Sequence, residues 1–333
     1  MQKKISSIIR VVLLLSIGIL LLWLTFRNEN VFKIFDKIKH ANIFYVSISI
    51  VCGFTAFEIR AYRWNMLIHP LGYKPKLSNA SYALGLGYFA NLAIPRIGEI
   101  SRCGALSKAE KIPFEKLIGT VITERIIDVF MLAFSILLAA ALQFNLMKNF
   151  LMEKIITPIL VKSNPGNSSS LKTIIIVAVI VLVILMGAFI KGKYKEKIKN
   201  TLVGMTEGLK SLFNMKETGK FIFHTFLMWF LYFLAAYACF FALEATSHLG
   251  MKEGVFILVA GGLGMSAPVQ GGIGAYHYIV SQALLLFGVA SADGIAYATM
   301  VHTYQTLLVI LLGCISLIML FRLKKSERES NHA

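Results

Sequence analysis

Apolar runs long enough to cross a bilayer recur along this chain, and they constrain its fold more than any other feature. They are Ile8–Phe26, Ala41–Ile59, Ile118–Leu142, Leu171–Ile190, Phe221–Leu243 and Ile295–Phe321. Each is near the roughly 20 residues needed to span a hydrocarbon core of about 30 Å. In that solvent every backbone polar group must be satisfied internally, and helices do this segment by segment. The expectation is an all-α, polytopic membrane helix bundle, with residues 1–333 forming a single integral membrane domain. The mean hydropathy of +0.71 leaves no room for a sizeable soluble domain. The first run has a basic start at Lys3, Lys4 and Arg10 but no small-residue cleavage site, so it reads as a retained span.

The net charge of +17 fits basic loops facing anionic lipid rather than nucleic acid. Cys52, Cys103, Cys239 and Cys314 are scattered without metal-ligand or disulfide spacing and read as buried structural thiols. No metal or cofactor is expected.

Two apolar regions resist a single-span reading: 78–107, interrupted at Pro95, and 254–289, interrupted between Pro268 and Gly272. If each crosses once, Lys and Arg divide 16 inside and 17 outside, and the eight lysines of 191–220 face outward. If each enters and returns to its own side, six full spans remain. The division becomes 24 inside and 9 outside, with Arg125 within a span. The second arrangement obeys the positive-inside bias, and it places both termini in the cytoplasm.

The halves 1–145 and 146–333 then correspond as an inverted repeat, each reading span, span, re-entrant broken pair, span. Gly85-Leu86-Gly87 precedes Pro95-x-x-Gly98, and Gly262-Leu263-Gly264 precedes Pro268-x-x-Gly271. Interrupted segments in matching places of opposed halves point to a transporter's mid-membrane site. Glycines that merely let helices pack closely are the alternative. Between the halves, 194–213 carries apolar residues at helical spacing among lysines, the pattern of an amphipathic surface helix.

Charged residues inside this apolar frame are the candidate site. In "TERIID", Glu124 and Asp128 share a helical face, and Arg125 can pair with Asp128. Such groups must face the bundle, either as an internal ion pair that fixes helix registry or as a binding site. In "PRIGEISR", Arg96, Glu99 and Arg102 recur every third position, which on a helix makes one stripe suited to phosphate or carboxylate. The second half supplies Gln270, Tyr276, His277, His302, Tyr304 and Gln305. No Ser/His/Asp order, HExxH, Walker or Rossmann pattern appears, so no catalytic residues are expected, although carboxylates leave intramembrane transfer chemistry open.

These motifs resemble the lysylphosphatidylglycerol synthase transmembrane-region family, whose members are flippase-like integral membrane proteins. The resemblance rests on "NLAIPRIGEISR", "ERIID" and "APVQGGIGAYH", in that order, and extends roughly from the second span to the last. It implies Arg96, Glu99, Arg102, Glu124, Arg125, Asp128, Gly271 and Gly272 as site residues. His277 stands where many members have Glu, and His302 where Arg is common. No segment resembles the soluble aminoacyltransferase of the fused proteins, so synthase activity is not expected. The reading is a bacterial inner-membrane translocase for an anionic lipid or lipid-linked substrate, with lipid headgroups as partners. A membrane enzyme or accessory subunit acting on a lipid carrier is the alternative.

Overall fold

The computed structural model describes residues 2–144 and 215–330, all helix and connecting turns, with no strand among them. Met1–Ile136 and Met215–Ala333 form one compact unit. Residues 137–214 form a second, of which 137–144 are described as the end of a helix and the turn after it. The fourth apolar run at 171–190 and the amphipathic stretch 194–213 lie outside the described residues.

Ten α-helices are described: α1 (Gln2–Phe26), α2 (Val31–Lys39), α3 (Ile43–Ile68), α4 (Leu77–Ala93), α5 (Gly98–Glu110), α6 (Phe114–Leu142), α7 (Thr218–Ala238), α8 (Met251–Ser266), α9 (Ala275–Leu285) and α10 (Ser291–Ser330). Among the described residues, four segments are long and apolar enough to cross a membrane: Ile43–Leu71, Phe114–Leu142, Thr218–Ala242 and Ser291–Leu323. α1, of 25 residues, carries a further apolar stretch from Leu14 to Phe26. Outward faces are strongly apolar, with Val51 62%, Ile122 56% and Leu311 58% exposed. So much exposed hydrocarbon fits contact with lipid rather than water.

The second span differs from its expected bounds. α3 continues past Ile59 to Ile68, carrying Arg60 and Arg63 inside the helix. Asn42 starts it, its Oδ1 accepting from the Phe44 amide at 3.0 Å. Asn30 starts α2 in the same way, accepting from Phe32 and Lys33. α2 is pinned by buried Ile34 and by the Lys37–Asp293 pair at 2.5 Å.

Both interrupted regions are helical hairpins. The start of α4 is tied to the end of α5, because Glu110 Oε1 accepts from the Lys76 amide (2.9 Å) and from Asn79 Nδ2 (2.7 Å). Phe256 of α8 packs edge-on against Phe287, just beyond α9, at 5.3 Å. The chain therefore enters and leaves each hairpin at the same end. Glycine permits the close packing inside them. A Cβ on Gly87 would lie 2.8 Å from the Gly98 carbonyl oxygen, and one on Gly264 would lie 2.7 Å from the Cα of Tyr276.

α3 and α7 pack antiparallel. The Asn42 amide donates to the Ala242 carbonyl at one end, and Tyr62 packs on His224 toward the other. The first hairpin opens next to the end of α3 and the second next to the end of α7, so their mouths lie at opposite ends of this pair. Their tips meet between: a Cβ on Gly271 would lie 4.0 Å from the Cα of Leu92. α10 runs alongside both, with Gly85 facing Ser316 and His302 bonded to Gly271.

Candidate functional site

The first break follows from three residues. Pro95 lacks an amide proton and drives Ile94 out of the helical region, to φ −134° and ψ 120°. Arg96 then takes a left-handed φ of 65°. Asn91 Oδ1 accepts from the Gly98 amide at 2.7 Å, capping α5 from across the break. The motif "NLAIPRIG" is thus a self-capped turn. Sequence reasoning missed Asn91 as a positioning residue, although it stands at the head of that motif.

Arg96 corrects the expected stripe. It lies outside α5, exposed at the tip, so Arg96, Glu99 and Arg102 do not share one helical face. Glu99 and Arg102 also do not pair with each other. Glu99 Oε1 accepts from Arg125 Nη2 (2.7 Å), and Arg102 Nη2 donates to Glu124 Oε2 (2.9 Å).

The centre of this network was not expected from sequence. Arg60 of α3 reaches Glu124 Oε1 through Nε at 2.6 Å and also bonds Asp128. Arg63 lies 3.7 Å from Asp128, stacked at 4.8 Å over Phe221 and donating to Met228 Sδ. Arg102 stacks at 4.7 Å over Trp64, whose indole donates to Thr120. The expected Arg125–Asp128 pair is present at 3.7 Å. Four arginines (Arg60, Arg63, Arg102, Arg125) therefore meet three carboxylates (Glu99, Glu124, Asp128), with side chains of α3, α5 and α6 against α7. The spacing of Arg60 and Arg63, one helical turn apart after an apolar run, was the available signal.

Glu124 and Arg63 are fully buried. Charges so placed persist only when paired, since an unpaired buried ion costs several kcal/mol. Glu124 is satisfied from both sides. The rest of the cluster is not: Arg63 Nε and Nη2, Arg102 Nε and Nη1, and Arg125 Nε are buried without a hydrogen-bond partner, as are Glu99 Oε2 and Asp128 Oδ1 on the anionic side. The cluster therefore holds one more cation than anion and several guanidinium donors still to be used. An oxyanion is the chemical complement of such a set.

The second break is built by glycine. After Pro268, Gly271, Gly272 and Gly274 take φ of 55°, 76° and 81°, a region that L side chains rarely occupy. His302 Nε2 donates to the Gly271 carbonyl at 2.8 Å, tying the break to α10. The rings of His277 and His302 are in tilted contact, with centroids 4.7 Å apart, and the Tyr276 ring lies 5.4 Å from that of His302. Gln270 is buried, its Nε2 without a partner. Sequence-predicted residues thus gather in two places: Glu99, Arg102, Glu124, Arg125 and Asp128 in the charged cluster, and Gln270, Gly271, Gly272, His277 and His302 around the second break.

Of the four cysteines, Cys52, Cys103 and Cys239 are buried as expected, whereas Cys314 is exposed on the outer face of α10. No group of three or more His, Cys, Asp and Glu side chains suited to a metal occurs among the described residues.

No solved structure matches the chain. A UPF0104 membrane protein of Methanocaldococcus jannaschii is 31% identical over 99 residues, which is 29% of this chain and 30% of that protein. The chain thus spans under a third of the curated relative's length in that match. The family description Lysylphosphatidylglycerol synthase TM region matches residues 8–313, which include both breaks and the whole charged cluster. This chain belongs to the Lysylphosphatidylglycerol synthase TM region family and is an integral membrane protein.

Proposed function

We propose that this protein is a translocase that carries an anionic lipid or lipid-linked substrate across the cell membrane without altering it chemically. The observation that carries the reading is the buried arginine cluster, with its surplus cation and unused guanidinium donors beside the first break. A headgroup phosphate or carboxylate would complete it. Arg96 at the tip is placed to meet an anion first, and Arg102, Arg63 and Arg125 to hold it.

The architecture proposed is six full spans plus two re-entrant hairpins in an inverted repeat, with both termini cytoplasmic in a bacterial inner membrane. Its support is the opposed placement of the hairpin mouths, the contact of their tips at Leu92 and Gly271, and the distribution of Lys and Arg. Two tips meeting between opposite faces can open alternately, as alternating access requires.

The test is leaflet-resolved lipid analysis of cells with and without the protein, followed by reconstitution in vesicles. A changed distribution between leaflets at constant total composition is the expected result. A changed total composition would replace transport with chemistry on a lipid carrier, and an unchanged distribution would end the proposal.

A further inference from the structure

The second break carries no charge, yet it holds two imidazoles in contact. His277 on α9 and His302 on α10 are each about 6% exposed, with rings 4.7 Å apart. His302 is fully engaged: Nε2 donates to Gly271, and Nδ1 lies 3.5 Å from the Thr306 hydroxyl. A carbonyl only accepts, so the proton of neutral His302 sits on Nε2 and its Nδ1 is the unprotonated nitrogen facing the Thr306 hydroxyl. His277 Nδ1 is buried without any partner. One member of the pair therefore fixes the break, and the other offers a buried ring nitrogen that nothing uses.

The surroundings are neutral. Gln270 lies in the break itself, Tyr276 precedes His277 on α9, and Phe26 of α1 packs at 6.4 Å. α8 meets Tyr276 through Gly261 and Gly264, and α4 meets the break through Leu92. Cys239 and Tyr297 share the adjoining core, where the Tyr297 hydroxyl donates to the Ala236 carbonyl. Asp293, in the first turn of α10, is held by Lys37. Among the described residues neither imidazole has a carboxylate within ion-pair distance. A proton added to the pair would leave a cation in a closed apolar site, beside a second imidazole and with no counter-charge. That state is disfavoured while the break is packed and relieved when the break parts from α10 and admits water.

We propose that His277 and His302 form a proton-binding site whose occupancy opens the second break. The packed break is the proton-free state, and the parted break holds the proton. If transport proceeds as proposed above, exchange of this proton between the two faces supplies its coupling ion; the site itself does not depend on that reading.

The experiment uses the full chain in lipid vesicles, with the four cysteines replaced and spin labels at Ala93→Cys and Ile273→Cys, both exposed near the touching tips. Dipolar EPR is recorded without substrate at about pH 8 and about pH 5, the range in which histidine titrates. The expected result is a short separation at the higher pH and a several-fold larger population of long separations at the lower. His277→Gln and His302→Gln should abolish the response. In the second variant the introduced amide can still donate to Gly271 but cannot take the proton, and His277→Gln alone suffices if that variant fails to fold. An unresponsive parent protein, or an unchanged response in a folded variant, overturns the proposal. Lost lipid movement with the pH response intact would instead count against the translocase reading alone.

Discussion

Arg102 and Glu124 are joined at 2.9 Å by a hydrogen bond that ties the returning arm of the first hairpin to the long helix α6. Glu124 is also gripped by Arg60 from α3, so one buried carboxylate holds three helices in register. Removing it leaves two buried guanidinium groups facing each other. We expect Glu124→Gln to lower stability by about 3–5 kcal/mol. Arg125→Gln, at a side chain 43% exposed, should cost about 1 kcal/mol or less. Thermal unfolding of both variants in detergent checks the contrast, and similar losses would refute it.

Arg96 separates binding from folding. It is exposed and lies outside the charged network. Arg96→Gln should leave the melting temperature unchanged while reducing lipid movement in reconstituted vesicles, by a loss of about 1.5–3 kcal/mol of charged hydrogen bonding. Full activity would remove Arg96 from the anion's path. Arg102→Gln should reduce both quantities, since its side chain is also a partner of Glu124.

The hairpins can be pried open by small changes. Valine at Gly87 or Gly264 places atoms against the backbone of the opposing arm, where a Cβ alone already comes within 2.8 Å and 2.7 Å. A Cβ on Gly104 or Gly119 meets nothing within 4 Å, so valine there has open space. The first pair should abolish transport and the second pair leave it near the parent level. Gly313, in the continuous last helix, is no control, because a Cβ there runs into the ring of Phe89.

Contact between the tips predicts a crosslink. Cysteines at Leu92 and Gly271, in a background lacking the native four, should form a disulfide on mild oxidation, since a Cβ on Gly271 would lie 4.0 Å from the Leu92 Cα, close enough for a disulfide to bridge. The product should lock transport until reduced. Failure to crosslink at every pH would contradict the tip contact.

Membrane sidedness can be read with an impermeant thiol reagent in intact cells. Single cysteines at Lys76, Lys108 and Lys210 should all resist external labelling. For Lys76 and Lys108 the expectation has a geometric basis, because the Lys76 amide is bonded to Glu110 at the mouth of the same hairpin. External labelling of Lys108 alone would mean that the first interrupted segment crosses.

Hydrophobicity and backbone chemistry act locally, and what depends on them was legible in the sequence. The apolar runs required helices, Pro95 and Pro268 required breaks, and the glycines of "PVQGGIG" marked a backbone that only they adopt readily. The pairing of Arg125 with Asp128 was legible for the same reason, since one helical turn fixes it. The partners of Glu124 were not. Arg60 lies 64 residues away on α3, and only the packing of α3, α5 and α6 brings it within 2.6 Å. Helical spacing placed Arg96, Glu99 and Arg102 in one stripe, but the turn at Pro95 removed Arg96 and tertiary contact gave Glu99 to Arg125. His277 and His302 were visible as two polar residues in apolar helices. Their contact, and the bond from His302 to Gly271, exist because α9 folds back along α10. Sequence determines which groups must avoid lipid, and tertiary packing decides which of them meet, because a buried charge or donor can be satisfied by any complementary group that the fold brings within reach.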